Sequence, residues 1–281
     1  MRILDLLSLS LLPLTALACT AAPSSGVDAA VADLATSLPE DLTAGLPSDL
    51  LGQADLSVAS SADLLPLLPE SDTFSATALD SRWKIFHPGV ISVATSGGAL
   101  HITPGAGSLW FNDQQGGAVY QEVTGNFRVS SLVHAHRVGM GNSVAPTSAV
   151  HLAGLMARRD VPLGQGGQED YVFVVVGFDV DDLSVEHKTT VDGVSTYQGP
   201  TWAGGGEAEL RICRIGSLFR LYKRPTSGGA WTLAATYDRT DLPSTLQVGA
   251  VAYSSQASPD LTGSFDSIDF APVASESDCT N

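Results

Sequence analysis

Three carboxylates follow a long apolar run near the middle of the chain and form a compact acidic cluster: Asp179, Asp181 and Asp182. Side chains alternate between the two faces of a strand, so Asp179 and Asp181 share a face if the strand continues. Calcium takes several oxygen ligands from carboxylates and carbonyls, which makes the cluster a candidate Ca²⁺ site, with a solvated loop as the alternative. Asp266 and Asp269 form a second acidic pair of the same kind.

Two histidines are also spaced for metal binding. His134 and His136 stand two residues apart, which places their rings on one face of a strand about 7 Å from each other. Zinc needs at least a third ligand, for which His101 or His151 is available. Nothing in the sequence ties either of them to the pair, so we expect histidines on the solvent face of a strand.

Sugar rings stack on aromatic faces, while amides and carboxylates bond their hydroxyls. Trp110 begins a polar run that contains Asn112 and Gln114, and Trp202 lies among glycines, a few residues after Tyr197. These five residues are the candidate carbohydrate-binding set. The alternative is that both tryptophans shield the open ends of the fold.

The charge of the chain is uneven. Its 281 residues carry 14 Lys+Arg and 30 Asp+Glu, and nine of the acidic residues but only one basic residue, Arg2, lie within residues 1–70. With no large basic patch, nucleic acid is not expected as a partner. Residues 20–70 are rich in Ala, Ser, Leu, Pro and Asp, with recurring Asp-Leu pairs. This composition predicts a disordered acidic tether that self-repulsion extends.

Residues 1–19 have the layout of an export signal. Arg2 supplies a positive charge, and the apolar run 6–14 is too short to span a bilayer as a helix. The six residues that end this segment, Leu-Thr-Ala-Leu-Ala-Cys, resemble the lipobox of bacterial lipoproteins, which implies cleavage before Cys19 and a lipid on its sulfur. Because Thr20 is not Asp, the resemblance implies the outer membrane, facing the periplasm or the cell surface. A secreted protein cut after Ala18 is the alternative.

The number of cysteines bears on whether Cys19 carries a lipid. An exported protein with three cysteines has an odd one. If Cys19 carries the lipid, as the resemblance implies, Cys213 and Cys279 remain as an even pair in a compartment that permits disulfides.

After residue 70 the sequence changes to short alternating segments separated by glycine-rich turns. Tyr171 to Phe178 is one such segment, and Gly97-Gly98 and Asp192-Gly193 are two of the turns. Many short strands and no helical crossover pattern predict an all-β sandwich or barrel rather than a parallel α/β fold.

Several motifs then occur in a fixed order over residues 71–273. They are Asp72-Thr-Phe74, Leu79-Asp-Ser-Arg-Trp83, Gly98-Ala-Leu-His-Ile102, Gly125-Asn-Phe-Arg-Val129, Gly154-Leu-Met-Ala-Arg158, Leu210-Arg-Ile-Cys-Arg214-Ile-Gly216 and Phe265-Asp-Ser-Ile-Asp-Phe270. This order resembles the concanavalin A-like domains of bacterial lipoproteins, which are also appended to β-xylosidase-type glycoside hydrolases. The resemblance implies a two-sheet antiparallel jelly-roll sandwich over 71–273, followed by a C-terminal tail, 274–281.

The resemblance implies a carbohydrate-related role but no chemistry, because the same sandwich serves lectins, glucanases and scaffolds. Jelly-roll glucanases carry a Glu, Asp and Glu signature on one strand, and this chain has none. We therefore expect no enzyme, but a monomeric lipoprotein attached to the membrane through Cys19, whose domain binds a glycan, with Ca²⁺ as a candidate cofactor. An envelope scaffold without a small ligand is the first alternative, and a glycan hydrolase or lyase is the second.

Overall fold

The computed structural model describes residues 67–281 with the exception of Gly166. The predicted signal segment 1–19, the lipid-accepting Cys19 and the acidic tether as far as residue 66 lie outside the described residues. No helix in the described part is long and apolar enough to cross a bilayer. Its regular structure consists of strands and two 3₁₀ turns, Pro88–Val90 and Glu276–Cys279.

The strands are numbered in chain order. Their bounds are β1 (Lys84–Phe86), β2 (Ile91–Ser96), β3 (Ala99–Pro104), β4 (Ala118–Thr124), β5 (Phe127–His136), β6 (His151–Arg158), β7 (Tyr171–Phe178), β8 (Leu183–Val191), β9 (Val194–Gln198), β10 (Glu207–Ile215), β11 (Leu218–Arg224), β12 (Thr232–Asp238), β13 (Thr245–Ser254), β14 (Thr262–Phe265) and β15 (Asp269–Ala271).

These strands form two sheets. The seven-stranded sheet has the order β1-β4-β13-β6-β7-β8-β9, and the eight-stranded sheet has the order β12-β11-β10-β5-β14-β3-β2, with β15 also paired to β5. The strand pairs in both sheets are antiparallel. The predicted all-β, two-sheet antiparallel sandwich is therefore confirmed.

Strand β7 shows how the core forms. Val172, Val174 and Val176 point between the two sheets into the main core. Tyr171 and Phe173 lie on the opposite face, in a second apolar cluster. Each such burial stabilises the fold by about 1.5–3 kcal/mol. Because both faces of β7 are covered, its sequence is a continuous apolar run, which differs from the alternating segment expected from the sequence.

The outer face of the seven-stranded sheet is covered by residues 105–117, which connect β3 to β4 and are called the covering segment below. Trp110 is fully buried in it, and its ring meets the Tyr171 ring edge-on with the centroids 5.6 Å apart. Its Nε1 donates a hydrogen bond of 3.1 Å to a main-chain carbonyl of the same segment. Asn112 holds the segment against β9, since it exchanges hydrogen bonds of 2.8 and 3.0 Å with Ser195.

The first described residues of the chain lie next to the last strand of the sandwich, β15. The Leu68 amide donates to the Phe270 carbonyl at 2.7 Å, and Asp72 and Ile268 exchange two main-chain hydrogen bonds of 3.0 and 2.9 Å. The Asp72 carboxylate also accepts from Trp83 Nε1 at 2.9 Å. The first two motifs of the sandwich are thereby fastened to its last strand.

A disulfide between Cys213 and Cys279 links β10 to the C-terminal tail across 66 residues of sequence. Arg211 Nη1 donates to the Cys279 carbonyl at 2.7 Å, and Arg128 Nη1 donates to the carbonyl one residue earlier at 2.9 Å. Side chains of β5 and β10 therefore hold the tail on the outer face of the eight-stranded sheet.

Candidate functional site

A pocket of about 100 Å³ opens on the outer face of the seven-stranded sheet, beside the covering segment. We call it the Glu186 pocket. Strands β8, β9 and β13 and the turn after β7 contribute most of its surface, and the covering segment closes one side. Its lining residues are Leu109, Phe111, Val150, Asp179, Val180, Glu186, Lys188, Tyr197 and Tyr253.

Glu186 and Lys188 form a buried ion pair in this pocket. They stand two residues apart on β8, so both point to the outer face. Lys188 Nζ lies 3.1 Å from Glu186 Oε1 and donates to the Trp110 carbonyl at 3.1 Å. The Tyr253 hydroxyl donates to the same Glu186 oxygen at 3.3 Å. Among the described residues none donates to Glu186 Oε2, which leaves this oxygen for a ligand.

Aromatic rings surround the Lys188 ammonium. The ring centroids of Phe173, Phe111, Tyr197 and Tyr253 lie 4.6, 5.1, 5.2 and 5.7 Å from Nζ. A cation within about 6 Å of a ring face is attracted by its quadrupole. The rings therefore replace part of the hydration that Lys188 loses, since only 3% of this residue is exposed.

Burial governs the protonation of these groups. It raises the pKa of Glu186, although the attraction of Lys188 opposes the shift. It lowers the pKa of Lys188, although Glu186 opposes that shift in turn. Burial also raises the pKa of Tyr253 well above its ordinary value, so its hydroxyl keeps its proton and donates.

Tyr197 and Asp179 form the rim of the pocket. Tyr197 is 45% exposed, and its ring meets Phe111 edge-on with the centroids 6.0 Å apart. Asp179 Oδ1 accepts the Val180 amide at 2.8 Å, while Oδ2 accepts no hydrogen bond from the described residues. The pocket thus combines an aromatic ring open to solvent with two carboxylates that retain free acceptor atoms.

Of the five predicted sugar-binding residues, the structure brings only Tyr197 to this pocket. The prediction for Trp110 is wrong, because the covering segment buries its ring completely and leaves no face for a sugar. Trp202 packs against the main core rather than outward. Asn112 is engaged with β9, and Gln114 is exposed but does not line the pocket.

The predicted calcium cluster lies at the turn between β7 and β8. Asp179 and Asp182 exchange main-chain hydrogen bonds of 2.9 and 3.2 Å, and each carboxylate accepts the amide of the next residue at 2.8 Å. Within residues 67–281, Gly166 apart, no group of three or more His, Cys, Asp or Glu side chains is placed to hold a metal ion. Asp179, Asp181 and Asp182 therefore do not assemble into the predicted ligand set.

The histidine pair is buried rather than exposed, which differs from the prediction. His134 Nδ1 lies 3.1 Å from Glu207 Oε2. His136 Nε2 lies 2.8 Å from Ser264 Oγ, and His101 Nδ1 approaches the same hydroxyl at 2.8 Å. These side chains serve a hydrogen-bond network on the outer face of the eight-stranded sheet.

A second pocket, of about 280 Å³, lies on that outer face. Arg211 and Arg224 approach the Trp231 ring to 4.0 and 4.3 Å, and Arg224 also pairs with Glu209 at 2.5 Å. Burial, aided by repulsion from Arg128 and Arg224, lowers the pKa of Arg211 to about 9. Since Arg211 and Arg128 donate to the tail, we assign these groups to holding the tail in place.

Glu186, Lys188 and Tyr253 were not among the residues predicted from the sequence. The available signal was the spacing on β8, where Glu186 and Lys188 alternate with Val185 and His187. Opposite charges two residues apart on one strand lie on the same face and indicate an ion pair there.

No protein-family model matches the chain, and no curated protein is significantly similar to it in sequence. Solved structures do share its fold. A functionally unknown protein from Saccharomyces cerevisiae matches with a TM-score of 0.57 and 15% identity over 69% of this chain and 98% of that one. Xylan β-1,4-xylosidase from Bacillus halodurans C-125 matches with a TM-score of 0.56 and 18% identity, over 73% of this chain but only 40% of the xylosidase.

The exoplasmic/lumenal domain of VIP36, solved with Ca²⁺ and Man₃GlcNAc bound, matches with a TM-score of 0.51 and 12% identity over 75% of this chain and 92% of that domain. At such identities a match shows the fold alone. The expected jelly-roll sandwich is confirmed, and the structures that share it include part of a xylosidase and a domain solved with Man₃GlcNAc bound.

Proposed function

We propose that this protein binds carbohydrate in the Glu186 pocket without cleaving it. The observation that carries the proposal is the exposed ring of Tyr197 beside the free Oε2 atom of Glu186. An aromatic ring that supplies a stacking surface, next to carboxylates that accept hydroxyl hydrogen bonds, is the usual composition of a sugar site. The pocket is small, so it suits one sugar unit at the end of a glycan rather than the middle of a long chain.

Binding rather than hydrolysis is favoured by the partners of Glu186. A glycosidase needs one carboxyl group that donates a proton and a second that attacks or activates water. Lys188 and Tyr253 both direct hydrogens at Glu186 Oε1, which favours the ionised form of Glu186, an acceptor of hydrogen bonds. The second candidate function is hydrolysis with Glu186 and Asp179 as the pair, and the raised pKa of Glu186 speaks for it.

The proposal is tested by screening the full-length protein on a glycan array and repeating each positive with Tyr197→Ala. Loss of the aromatic ring should weaken binding at least about tenfold, because stacking supplies about 1.5 kcal/mol. Val194→Ala, on the same strand and even more exposed, is the matched control and should bind as the wild type does. Absence of binding across the array would overturn the proposal, and release of reducing sugar that Glu186→Gln abolishes would establish hydrolysis instead.

We also propose the cellular address on the sequence alone. The residues that precede Cys19 favour a monomeric outer-membrane lipoprotein, with a secreted protein as the alternative. Globomycin-sensitive processing and detergent partitioning that Cys19→Ser abolishes would support lipidation.

If no glycan binds, an envelope scaffold becomes the leading function, and crosslinking in cells would then identify its partner.

A further inference from the structure

A second, acidic pocket adjoins the Glu186 pocket. It has a volume of about 200 Å³ and shares Asp179 and Val180 with its neighbour, so the two cavities meet at these residues. We call it the Asp181 pocket. Besides the shared residues it is lined by Asp181, Asp182, Ser184, Gly199 and Thr201.

A buried hydroxyl in the Asp181 pocket lacks a partner. Ser184 is 2% exposed, and its Oγ has no hydrogen-bond partner among the described residues. Buried polar groups in folded proteins are almost always hydrogen-bonded, so this hydroxyl indicates a place where a bound group supplies the partner. The Asp181 pocket is thus lined by this hydroxyl and by three carboxylates, which do not converge on a single point.

Gly199 keeps that space open. A Cβ atom at this position would lie 3.0 Å from Asp179 Oδ2 and 3.5 Å from Ser184 Oγ. A side chain at this position would therefore crowd both the carboxylate oxygen and the hydroxyl, and glycine leaves them uncrowded.

We propose that the two pockets together bind an amino sugar, with the ring against Tyr197 and the protonated amine in the Asp181 pocket. This inference rests on the function proposed above. An ammonium has only hydrogen-bond donors, which match acceptor oxygens of Asp179, Asp181 and Ser184. The net negative charge of the two pockets also favours a cationic ligand, since they hold four carboxylates and the single ammonium of Lys188.

Three tetrasaccharides that differ only at C2 test the inference: the β-1,4-glucosamine tetramer, its fully N-acetylated form and cellotetraose. Calorimetric titration of the full-length protein at about pH 6 keeps the free amine protonated. The amine form should bind about tenfold more tightly than cellotetraose, because one charge-assisted contact contributes about 1.5 kcal/mol or more. The N-acetylated form should lose this advantage, since its amide carries no charge to pair with the carboxylates.

Variants separate the amine site from the ring site. Gly199→Ala fills the space beside Ser184. The ratio of the affinity for the glucosamine tetramer to the affinity for cellotetraose should then fall to about one. Asp181→Asn should lower that ratio about threefold, whereas Asp238→Asn makes the same change of net charge on the exposed end of β12 and should leave it unaltered.

Equal binding of the three tetramers would overturn the inference and leave the proposed function intact. Binding of none of them would count against both. Binding of the amine form that survives Tyr197→Ala would mean adsorption by charge alone, which also overturns the inference.

Discussion

The ammonium of Lys188 lies 3.1 Å from a carboxylate oxygen of Glu186, and both side chains are almost completely buried on the same face of β8. Taking two charges from water is expensive, and their mutual attraction roughly offsets that expense. Breaking such a pair leaves one charge buried and uncompensated. The stability of this face of the sheet therefore depends on keeping both residues or neither.

Lys188→Met should lower the free energy of unfolding by about 3 kcal/mol, because the Glu186 carboxylate is left without its partner. The double variant Glu186→Leu/Lys188→Met should recover most of this loss, since two apolar side chains of similar volume replace the pair. Urea denaturation of the wild type, both single variants and the double variant measures the coupling. Additive losses in the double variant would show that the pair does not act as a unit.

Trp110→Ala should destabilise the fold by about 3–5 kcal/mol, as expected for the loss of a large buried aromatic side chain. Trp110→Phe keeps most of the volume and loses mainly the Nε1 hydrogen bond, so a smaller loss of about 1 kcal/mol is expected. Thermal and urea unfolding report both values. A Trp110→Ala protein of wild-type stability would mean that the covering segment is not packed as described.

Removing the disulfide with Cys213→Ala/Cys279→Ala should lower the free energy of unfolding by about 4 kcal/mol, from the entropy of closing a loop across 66 residues. Unfolding of the wild type with and without reductant provides the same comparison without mutation. The reduced protein and the double variant should agree, and a difference between them would point to a packing defect at the alanines.

Stability should also fall on mild acidification, because burial lowers the pKa of His136 below its ordinary 6.5. Between about pH 6.5 and the folded pKa, the unfolded chain binds a proton that the folded protein excludes, so the free energy of unfolding decreases as pH falls. Urea denaturation at about pH 7.5 and about pH 5.5 measures the decrease, which should be smaller in His136→Gln. An equal decrease in both proteins would assign the effect to other groups, such as His187, whose pKa burial also lowers.

The positions of the strands could be predicted because short apolar or alternating runs and glycine turns are local properties of the sequence. The segment Tyr171–Phe178 coincides with β7, and the turns at Gly97-Gly98 and Asp192-Gly193 fall between strands. The face of the sheet on which each residue lies could also be predicted, because side chains alternate along a strand. Which segment packs on that face could not be predicted, because it depends on contacts between residues that are distant in the sequence.

Trp110 and Glu186 illustrate that limit. The polar run after Trp110 is typical of an exposed loop, yet the segment folds across β6 and β7 and buries the ring. Glu186 lies on the outer face by simple alternation, but only the position of the covering segment turns that face into a pocket. Tyr197 was predicted for its aromatic ring; Lys188 lies directly opposite it across the β8–β9 hairpin, whereas Phe111 comes from the distant covering segment.

The hydrogen bonds of Leu68 with Phe270 and of Asp72 with Ile268 place the first and last segments of the sandwich side by side. The two ends of the sandwich therefore lie close together in space. A chain that joined these ends and began at another loop could form the same two sheets. A circular permutant that links residue 273 to residue 68 and opens the exposed turn at 227–229 would keep every strand pairing, although it would lack the tail 274–281 and the disulfide to Cys279. By the same geometry, the whole domain can be inserted into a surface loop of another protein with both junctions at one place.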